Sequence, residues 1–324
     1  MTKKIYEYEL DEPFEIFMLI KSADVRLAKN NKPFIAFTFQ DRSGQIDGKF
    51  WDAKEDEINR FQAGTVVKIS GKRELYQNNP QIRITKMRTA HENEAVAPEH
   101  FIERAPLRTE EMVEEINSIL FEIISAPINR IVRYLLNKYQ KAFFDFPAAK
   151  RHHHAFAGGL SYHTVSILRL AKTITKTYPG INHSLLYGGI ILHDIGKTIE
   201  LTGALSTEYT LKGNLIGHIV LVDEEITKAC EALKIDEDTE DIILLKHVIL
   251  AHHGKLEFGS PVVPHLLEAE IIHHLDNLDA SINMIDTALQ RTKPGEFSER
   301  VFGLGNRNFY KPSELVEPDN KLKV

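Results

Sequence analysis

The sequence predicts two domains of different class, a small closed β-barrel followed by an all-α domain. Three observations predict it. The chain has 324 residues, and at about 100 to 200 residues per domain that is two domains. Residues 14 to 90 alternate apolar and polar side chains with a period of two, the mark of half-buried strands. From about Thr109 the period becomes helical, with apolar residues recurring every three or four positions.

In the first part, Phe34-Ile-Ala-Phe-Thr-Phe, Gln45-Ile-Asp-Gly-Lys-Phe-Trp, Thr65-Val-Val-Lys-Ile-Ser and Gln81-Ile-Arg-Ile-Thr each read as a strand. Asp41-Arg-Ser-Gly and Asn78-Asn-Pro supply turns between neighbours, because Gly, Pro and Asn accept the dihedrals that turns demand. A helical insert, about Glu55 to Phe61, precedes the fourth strand. Five short strands with one such insert point to a barrel over residues 1 to 90. Residues 91 to 108, with Glu92, Glu94, Pro98, Glu99 and Pro106 and little apolar content, read as a linker. Helical periodicity then marks Glu110 to Ile124, Asn129 to Tyr139, Tyr162 to Thr177, Gly217 to Leu233, Asp238 to His252 and Leu266 to Arg291, within a domain over 109 to 312. Residues 313 to 324 are polar and read as a flexible tail. No repeat or low-complexity tract interrupts this order.

Composition narrows the function. The chain is 43% hydrophobic and 27% charged, which excludes disordered, collagen-like and disulfide-scaffold classes. Cys230 is the single cysteine. No intrachain disulfide can form, a thiolate zinc cluster is excluded, and any metal must be held by nitrogen or oxygen. The first ten residues lack the apolar core of a secretion signal, and the apolar run Ile242 to Ala251 is interrupted by Lys246 and His247, well short of the ~20 residues a bilayer needs. A cytoplasmic protein without a membrane segment is expected.

Histidine is unevenly placed, with 13 of 15 between His152 and His274. His163 stands in Gly158-Gly-Leu-Ser-Tyr-His, His193-Asp194 in Ile190-Ile-Leu-His-Asp-Ile-Gly-Lys, and His218, His252-His253 and Asp276 follow. Imidazole and carboxylate are ligands of borderline divalent ions such as Zn²⁺, Mn²⁺, Fe²⁺ and Co²⁺. A carboxylate can bridge two ions where an imidazole cannot, so Asp194 is the candidate shared ligand of a two-metal site. Burying these rings without a common purpose would demand a separate polar partner for each.

The order His163, His193-Asp194, Asp276 resembles the signature of the HD superfamily of metal-dependent phosphohydrolases, which implies an all-helical fold with the motif residues meeting at one ion. The additional His218 and His252-His253 resemble its two-metal members. By that resemblance His163, His193, Asp194 and Asp276 hold the first ion and Asp194, His218 and His252 the second, with His253 a ligand or a neighbour of one. Lys197, in Asp194-Ile-Gly-Lys, is implied to neutralise a nonbridging phosphate oxygen, and Asp194 and Lys197 are the catalytic candidates. The bland reading of Lys197 is a solvated residue after a helix-ending Gly196.

An OB-type barrel ahead of an HD domain is similar to the layout of the YhaM family of 3′→5′ exoribonucleases. Lys32-Pro-Phe, Gln40-Asp-Arg-Ser-Gly, Phe50-Trp-Asp-Ala-Lys, Gly159-Leu-Ser-Tyr-His, Leu192-His-Asp-Ile-Gly-Lys, His252-His-Gly-Lys and Asn306-Arg-Asn-Phe-Tyr-Lys-Pro carry the likeness over nearly the whole chain. It implies hydrolysis of single-stranded RNA from the 3′ end to nucleoside monophosphates with two divalent ions. Mn²⁺ is favoured; Co²⁺, Fe²⁺ and Zn²⁺ are compatible, and single-stranded DNA is a further candidate partner. Two other readings stay open: an HD nucleotide or cyclic-nucleotide phosphohydrolase with a regulatory barrel, and a non-catalytic RNA-binding protein. Oligomeric state is not legible.

Remaining residues are assigned by phase. His152-His153-His154 runs into Ala155-Phe-Ala-Gly-Gly-Leu, a context that resembles the entry to the first motif histidine. His153 and His154 are read as equally suited to a substrate contact and to a loop surface. His273, Asp276 and Asp279 share a helical face, so His273 and Asp279 are candidates to orient Asp276. His183, His247, His265 and His274 match no motif. On the barrel, Lys49 and Trp51 alternate with inward Ile46, Gly48 and Phe50, Arg83 lies between inward Ile82 and Ile84, and Phe34 is out of phase with Ile35, Phe37 and Phe39. Between Thr65 and Ala90 six basic residues, Lys68, Lys72, Arg73, Arg83, Lys86 and Arg88, face one acidic, Glu74, in a chain of net charge −6. The candidate nucleic-acid face is therefore Phe34, Lys49, Trp51, Lys72, Arg73, Tyr76 and Arg83, since stacking rings beside cations suit sequence-tolerant binding of single strands. The competing placement puts Trp51 half-buried under the helical insert.

Overall fold

The computed structural model describes residues 3–28, 30–76, 79–94, 96–150 and 154–313. His152, His153 and residues 314–324 lie outside the described residues.

Strands β1 (Pro13–Leu27), β2 (Pro33–Asp41), β3 (Gly44–Trp51), β4 (Val66–Tyr76) and β5 (Asn79–Thr89) close into a barrel of order β1-β2-β3-β5-β4. Helix α1 (Glu55–Arg60) sits between β3 and β4, where the helical insert was expected. All neighbours pair antiparallel except β3 and β5, which run parallel through Asp47↔Gln81 and Gly48↔Ile82. The period-two pattern sets the inner face: Ile16, Met18, Ile20, Ile35, Phe37, Phe39, Ile46, Val67, Ile69 and Ile82 are buried together, with Phe61 after α1 sealing one end. A bulge at Thr85, opposite Ser70 and Gly71, bends β5 against β4. A Cβ on Gly71 would lie 2.5 Å from the Arg83 carbonyl oxygen, so the close approach of the two backbones requires glycine there.

The helical domain is built from α2 (Thr109–Leu120), α3 (Ala126–Asp145), α4 (Gly159–Thr177), α5 (His183–Leu192), α6 (Lys197–Glu200), α7 (Leu211–Leu215), α8 (His218–Leu233), α9 (Glu240–Ala251) and α10 (Leu267–Gln290). Helix α5 is apolar around its circumference, and every residue after His183 is buried. That is the pattern of a central helix, with α3, α4, α9 and α10 packed about it. Gly189 makes this packing tight: a Cβ would meet Val248 Cγ1 at 2.5 Å and Ile272 Cδ1 at 2.8 Å. Asn182 caps α5 through the Leu185 amide at 3.1 Å. The four-residue α6 and five-residue α7 are too short for periodicity to reveal. Among the described residues no helix is long and apolar enough to cross a membrane.

Residues 91–108 do not form a free tether. Two 3₁₀ turns, Glu92–Glu94 and Pro98–Phe101, occur within them. Arg88 forks onto Glu94, Arg42 donates to the His100 carbonyl at 2.8 Å, and the Ala105 amide donates to the Ala157 carbonyl at 2.9 Å. The segment after α10 folds back on that helix: Lys311 donates to the carbonyls of Leu289 and Thr292 at 2.9 and 2.8 Å, and Gly303 lies against Met284. At the joint between the domains the Arg291 guanidinium stacks on the Tyr6 ring, 4.0 Å from its centroid, and donates to the Ser43 carbonyl at 3.3 Å.

Lys21 crosses the same joint. It is 2% exposed, and its ammonium donates to the Ala204 carbonyl in the loop after α6. Burial pushes its pKa down to about 8 from 10.5. Between those two pH values the unfolded chain holds the extra proton, so stability rises with pH there, and below pH 8 a penalty of about 3 kcal/mol is present in full. Lys21→Met removes the penalty and leaves one carbonyl without a donor, which costs about 1 kcal/mol. The variant is expected to be more stable than the parent at pH 7, with the gap narrowing by pH 10, as read by denaturant unfolding. Destabilisation at both pH values would contradict this account of Lys21.

Candidate metal centre and nucleic-acid face

The fold gathers residues from five helices at one end of the buried α5. His163 is in the second turn of α4, and His193 and Asp194 directly follow α5. His218 opens α8, His252 and His253 follow α9, and Asp276 projects from the middle of α10. Lys197 is the first residue of α6. The starts of α6 and α8 touch through Gly196, where a Cβ would fall 2.5 Å from the His218 carbonyl oxygen. That glycine lets His218 close on Asp194.

Each of the five imidazoles is tied at Nδ1. His193 donates to the Ile190 carbonyl at 2.7 Å, His252 to the Ile249 carbonyl at 2.7 Å, and His253 to the Phe258 carbonyl at 2.8 Å. His163 donates to Asp279 Oδ2 at 2.7 Å and His218 to Glu200 Oε1 at 3.1 Å. A carbonyl or carboxylate oxygen can only accept, so the proton of a neutral ring is on Nδ1 and Nε2 carries a lone pair. This is how metal-ligating histidines are oriented. At His163 Nε2 also lies 3.1 Å from Asp276 Oδ1. Burial would lower that ring's pKa, but Asp276 and Asp279 outweigh it and raise it to about 9, so a metal at Nε2 would displace a proton.

The Nε2 atoms face Asp194. Its Oδ2 lies 3.4 Å from His193 Nε2 and 3.7 Å from His163 Nε2, and its Oδ1 lies 3.4 Å from His218 Nε2 and 3.9 Å from His252 Nε2. Asp276 Oδ1 is 3.1 Å from His163 Nε2. Among the described residues, Nε2 of His193, His218 and His252 and Oδ1 of Asp194 are buried and make no hydrogen bond. Lone pairs pointed at one another in a dry site repel and need a cation between them. Atoms bound about 2.0 to 2.2 Å from one ion lie about 3 to 3.6 Å from each other, so the spacing suits ligation. The donor atoms fall into the groups His163-His193-Asp276 and His218-His252-His253, one on each side of Asp194. The residues present therefore fit divalent metal ions.

Electrostatics agree. Burial would raise the Asp194 carboxyl, but Lys197, His193 and His218 outweigh it and hold it well below the usual carboxylate range. Burial alone would also raise Asp276 and Asp279, and His163 for the first and His154 with His163 for the second pull both down. Burial, with His253 and His193 nearby, holds His252 well below the ordinary histidine value, so it is a neutral donor. Lys197 is 8% exposed and donates to Asp194 Oδ2 at 2.7 Å. Asp194 keeps it charged against the effect of burial. The placement as a solvated surface lysine does not occur.

The expected orienting partners of Asp276 act elsewhere. Asp279 holds His163 and, at 2.7 Å, His154 Nε2, while His273 Nδ1 donates to the His252 carbonyl at 3.2 Å. His154 is thus buried against the centre rather than on a loop surface. Glu200, which no motif marks, accepts from both the backbone amide and Nδ1 of His218 at 3.1 Å. Its position three residues after Lys197, on the same side of α6, is the signal that could have found it.

On the barrel, Phe34 and Trp51 pair across β2 and β3 with ring centroids 4.7 Å apart. Trp51 is 55% exposed and does not lie under α1. The Lys49 ammonium is 5.8 Å from the Trp51 ring and 5.2 Å from that of Tyr76. Strand register continues the row through Arg83 on β5 to Lys72 on β4. Lys72 is paired with Asp11. Arg73 does not join this face: its guanidinium stacks 5.4 Å from the Tyr6 ring and donates to the Tyr6 carbonyl at 3.4 Å. Phe34 and Trp51 form one wall of an open cleft of about 560 Å³ that Leu27, Asn30 and Lys32 complete.

Residues 160–281 match the HD domain family and residues 20–90 match the OB-fold nucleic acid binding domain family. The chain is thus an OB-type five-stranded barrel followed by a helical HD domain, and the HD domain is of the metal-dependent phosphohydrolase class. Among solved structures, the second OB-fold domain of replication protein A from Methanococcus maripaludis is similar at 16% identity, over 28% of this chain and 97% of that one, with a TM-score of 0.23. A replication protein A heterotrimer bound to single-stranded DNA is similar at 21% identity, over 28% of this chain and 65% of that one, with a TM-score of 0.22.

Proposed function

We propose that the protein is a two-metal 3′→5′ exoribonuclease that hydrolyses single-stranded RNA to nucleoside monophosphates. The observation that carries the chemistry is the ring of Nδ1-anchored imidazoles whose Nε2 atoms surround Asp194. The substrate class rests on the row of Phe34, Trp51, Lys49, Tyr76 and Arg83 on the barrel of the same chain. RNA preference and polarity rest on the resemblance to YhaM exoribonucleases. In this reading residues 1–90 grip the strand, 91–108 join the parts, and 109–312 carry the reaction.

His163, His193, Asp194 and Asp276 would hold one ion, and Asp194, His218, His252 and His253 the other, with Mn²⁺ favoured. Bound there, the ions supply Lewis acidity at phosphorus-bound oxygens and a water acidic enough to ionise near neutral pH. The chain's own residues do the rest. The carbonyl and carboxylate anchors fix each ring, so that no reorganisation accompanies the change of charge at phosphorus. Lys197 places a buried ammonium beside Asp194, where it can offset negative charge on a nonbridging oxygen. Asp279 and Glu200 hold His163 and His218 in the ligating tautomer.

The test compares oligoribonucleotide, diribonucleotide and cyclic nucleotide as substrates with Mn²⁺. The proposal expects 3′-end shortening of RNA, and Trp51→Ala should weaken binding of the longer RNA by about 1 to 3 kcal/mol, the worth of one stacked base. Hydrolysis of cyclic nucleotide alone, indifferent to Trp51, would establish the phosphohydrolase reading instead. Tight RNA binding with no metal by elemental analysis would establish the non-catalytic one.

A further inference from the structure

Two exposed aromatic residues, each with a lysine ammonium near its ring, belong to the segments that anchor His218 and His253. Phe258 is 55% exposed, with Lys255 Nζ 5.3 Å from its centroid. Its own carbonyl receives the Nδ1–H of His253 at 2.8 Å, so the residue that carries the ring also anchors a candidate ligand. Tyr209 is 45% exposed, with Lys150 Nζ 5.9 Å from its centroid. It is fixed by the bridge Leu201↔Tyr209, and the next residue, Thr210, donates its amide to the carbonyl of Glu200 at 2.8 Å, the residue that holds His218. The His218 and His253 rings are themselves 5.2 Å apart. Each aromatic is thus tethered to one histidine of a touching pair.

The two rims differ in what lies beyond them. The loop that carries Tyr209 meets the barrel through the Lys21 contact to Ala204. Ala155 meets it too, its carbonyl accepting from Gln45 Nε2 at 3.4 Å. Tyr209 and Lys150 therefore stand on the barrel side of the centre, and Phe258 and Lys255 belong to the turn after α9.

We propose that these pairs are stacking subsites on either side of the scissile phosphate: the base of the departing 3′ nucleotide stacks on Phe258, and an upstream base stacks on Tyr209. Lys255 and Lys150 swing from the ring faces to the flanking phosphates. Every base has a π-face and an anion beside it, so the subsites accept any sequence but require an unpaired strand. This rests on the exoribonuclease reading and adds the direction in which the strand is threaded.

The experiment measures KM and kcat separately for a diribonucleotide and a longer oligoribonucleotide, and records fluorescence quenching of 2-aminopurine at the RNA 3′ terminus by EDTA-treated full-length protein. Phe258→Ala is expected to raise KM about tenfold or more on both substrates and to abolish the quenching, with Phe258→Tyr restoring both. Tyr209→Ala is expected to raise KM more for the longer RNA than for the diribonucleotide, with Tyr209→Phe restoring it. Unchanged KM in both alanine variants, or terminal quenching that persists in Phe258→Ala, would overturn the proposal. Wild-type protein that leaves RNA intact with Mn²⁺ would instead reject the exoribonuclease reading, while the quenching still reports on the subsite.

Discussion

Asp194→Asn is expected to reduce phosphodiester hydrolysis by about 10³-fold or more while leaving the fold intact. The carboxylate is central to the site, with one oxygen toward His193 and His163 and the other toward His218 and His252. An amide keeps the shape but loses the charge that can join two cations, and it orients an N–H₂ group toward lone pairs or toward the Lys197 ammonium. Removing a preorganised electrostatic element from a dry site typically costs about 10² to 10³ in rate, and here the metal-holding group itself is lost. Single-turnover hydrolysis beside circular dichroism checks it. A folded variant that retains more than about a tenth of the parent rate would remove Asp194 from its assigned role.

Asp279→Asn is expected to weaken metal binding by about 10- to 100-fold, the usual effect of losing the group that orients a ligating histidine. Its carboxylate accepts from His163 Nδ1 and contacts His154 Nε2, both at 2.7 Å. Both contacts fall on Oδ2, so an amide that keeps its oxygen there still loses the negative charge that orients and polarises the His163 ring. Titration of Mn²⁺ by calorimetry measures the effect directly, and unchanged affinity would show that His163 needs no orienting carboxylate. Because bound metal stabilises only the folded chain, the same variant should show a smaller rise in thermal midpoint on adding Mn²⁺.

Much of this is legible in the sequence. The barrel strands and their inward faces follow from period two, and the placement of Trp51 outside follows from its phase with Lys49. Arg73 was expected on the nucleic-acid face beside Lys72, but it shares the parity of the buried Val67 and Ile69, so it turns toward Tyr6 instead. Its charge suggested the outer face, but charge does not decide which way a strand residue points. In the helical half, motif order brought together the groups at Asp194. The orienting shell was less legible. Glu200 meets His218 across a connection that contains the short α7, and His154 reaches Asp279 from more than a hundred positions away; periodicity relates residues within one element and is silent on such pairs. The covering of Lys197 was hidden because its ammonium is held by Asp194 inside the site, which no period reports.

The central claim is that cations sit among these Nε2 atoms on both sides of Asp194. Anomalous diffraction from crystals grown with Mn²⁺ measures this most directly. The account predicts two peaks, one within reach of His163, His193 and Asp276 and one within reach of His218 and His252, with Asp194 between them. Full-occupancy peaks elsewhere, with this cluster empty at saturating Mn²⁺, would contradict it.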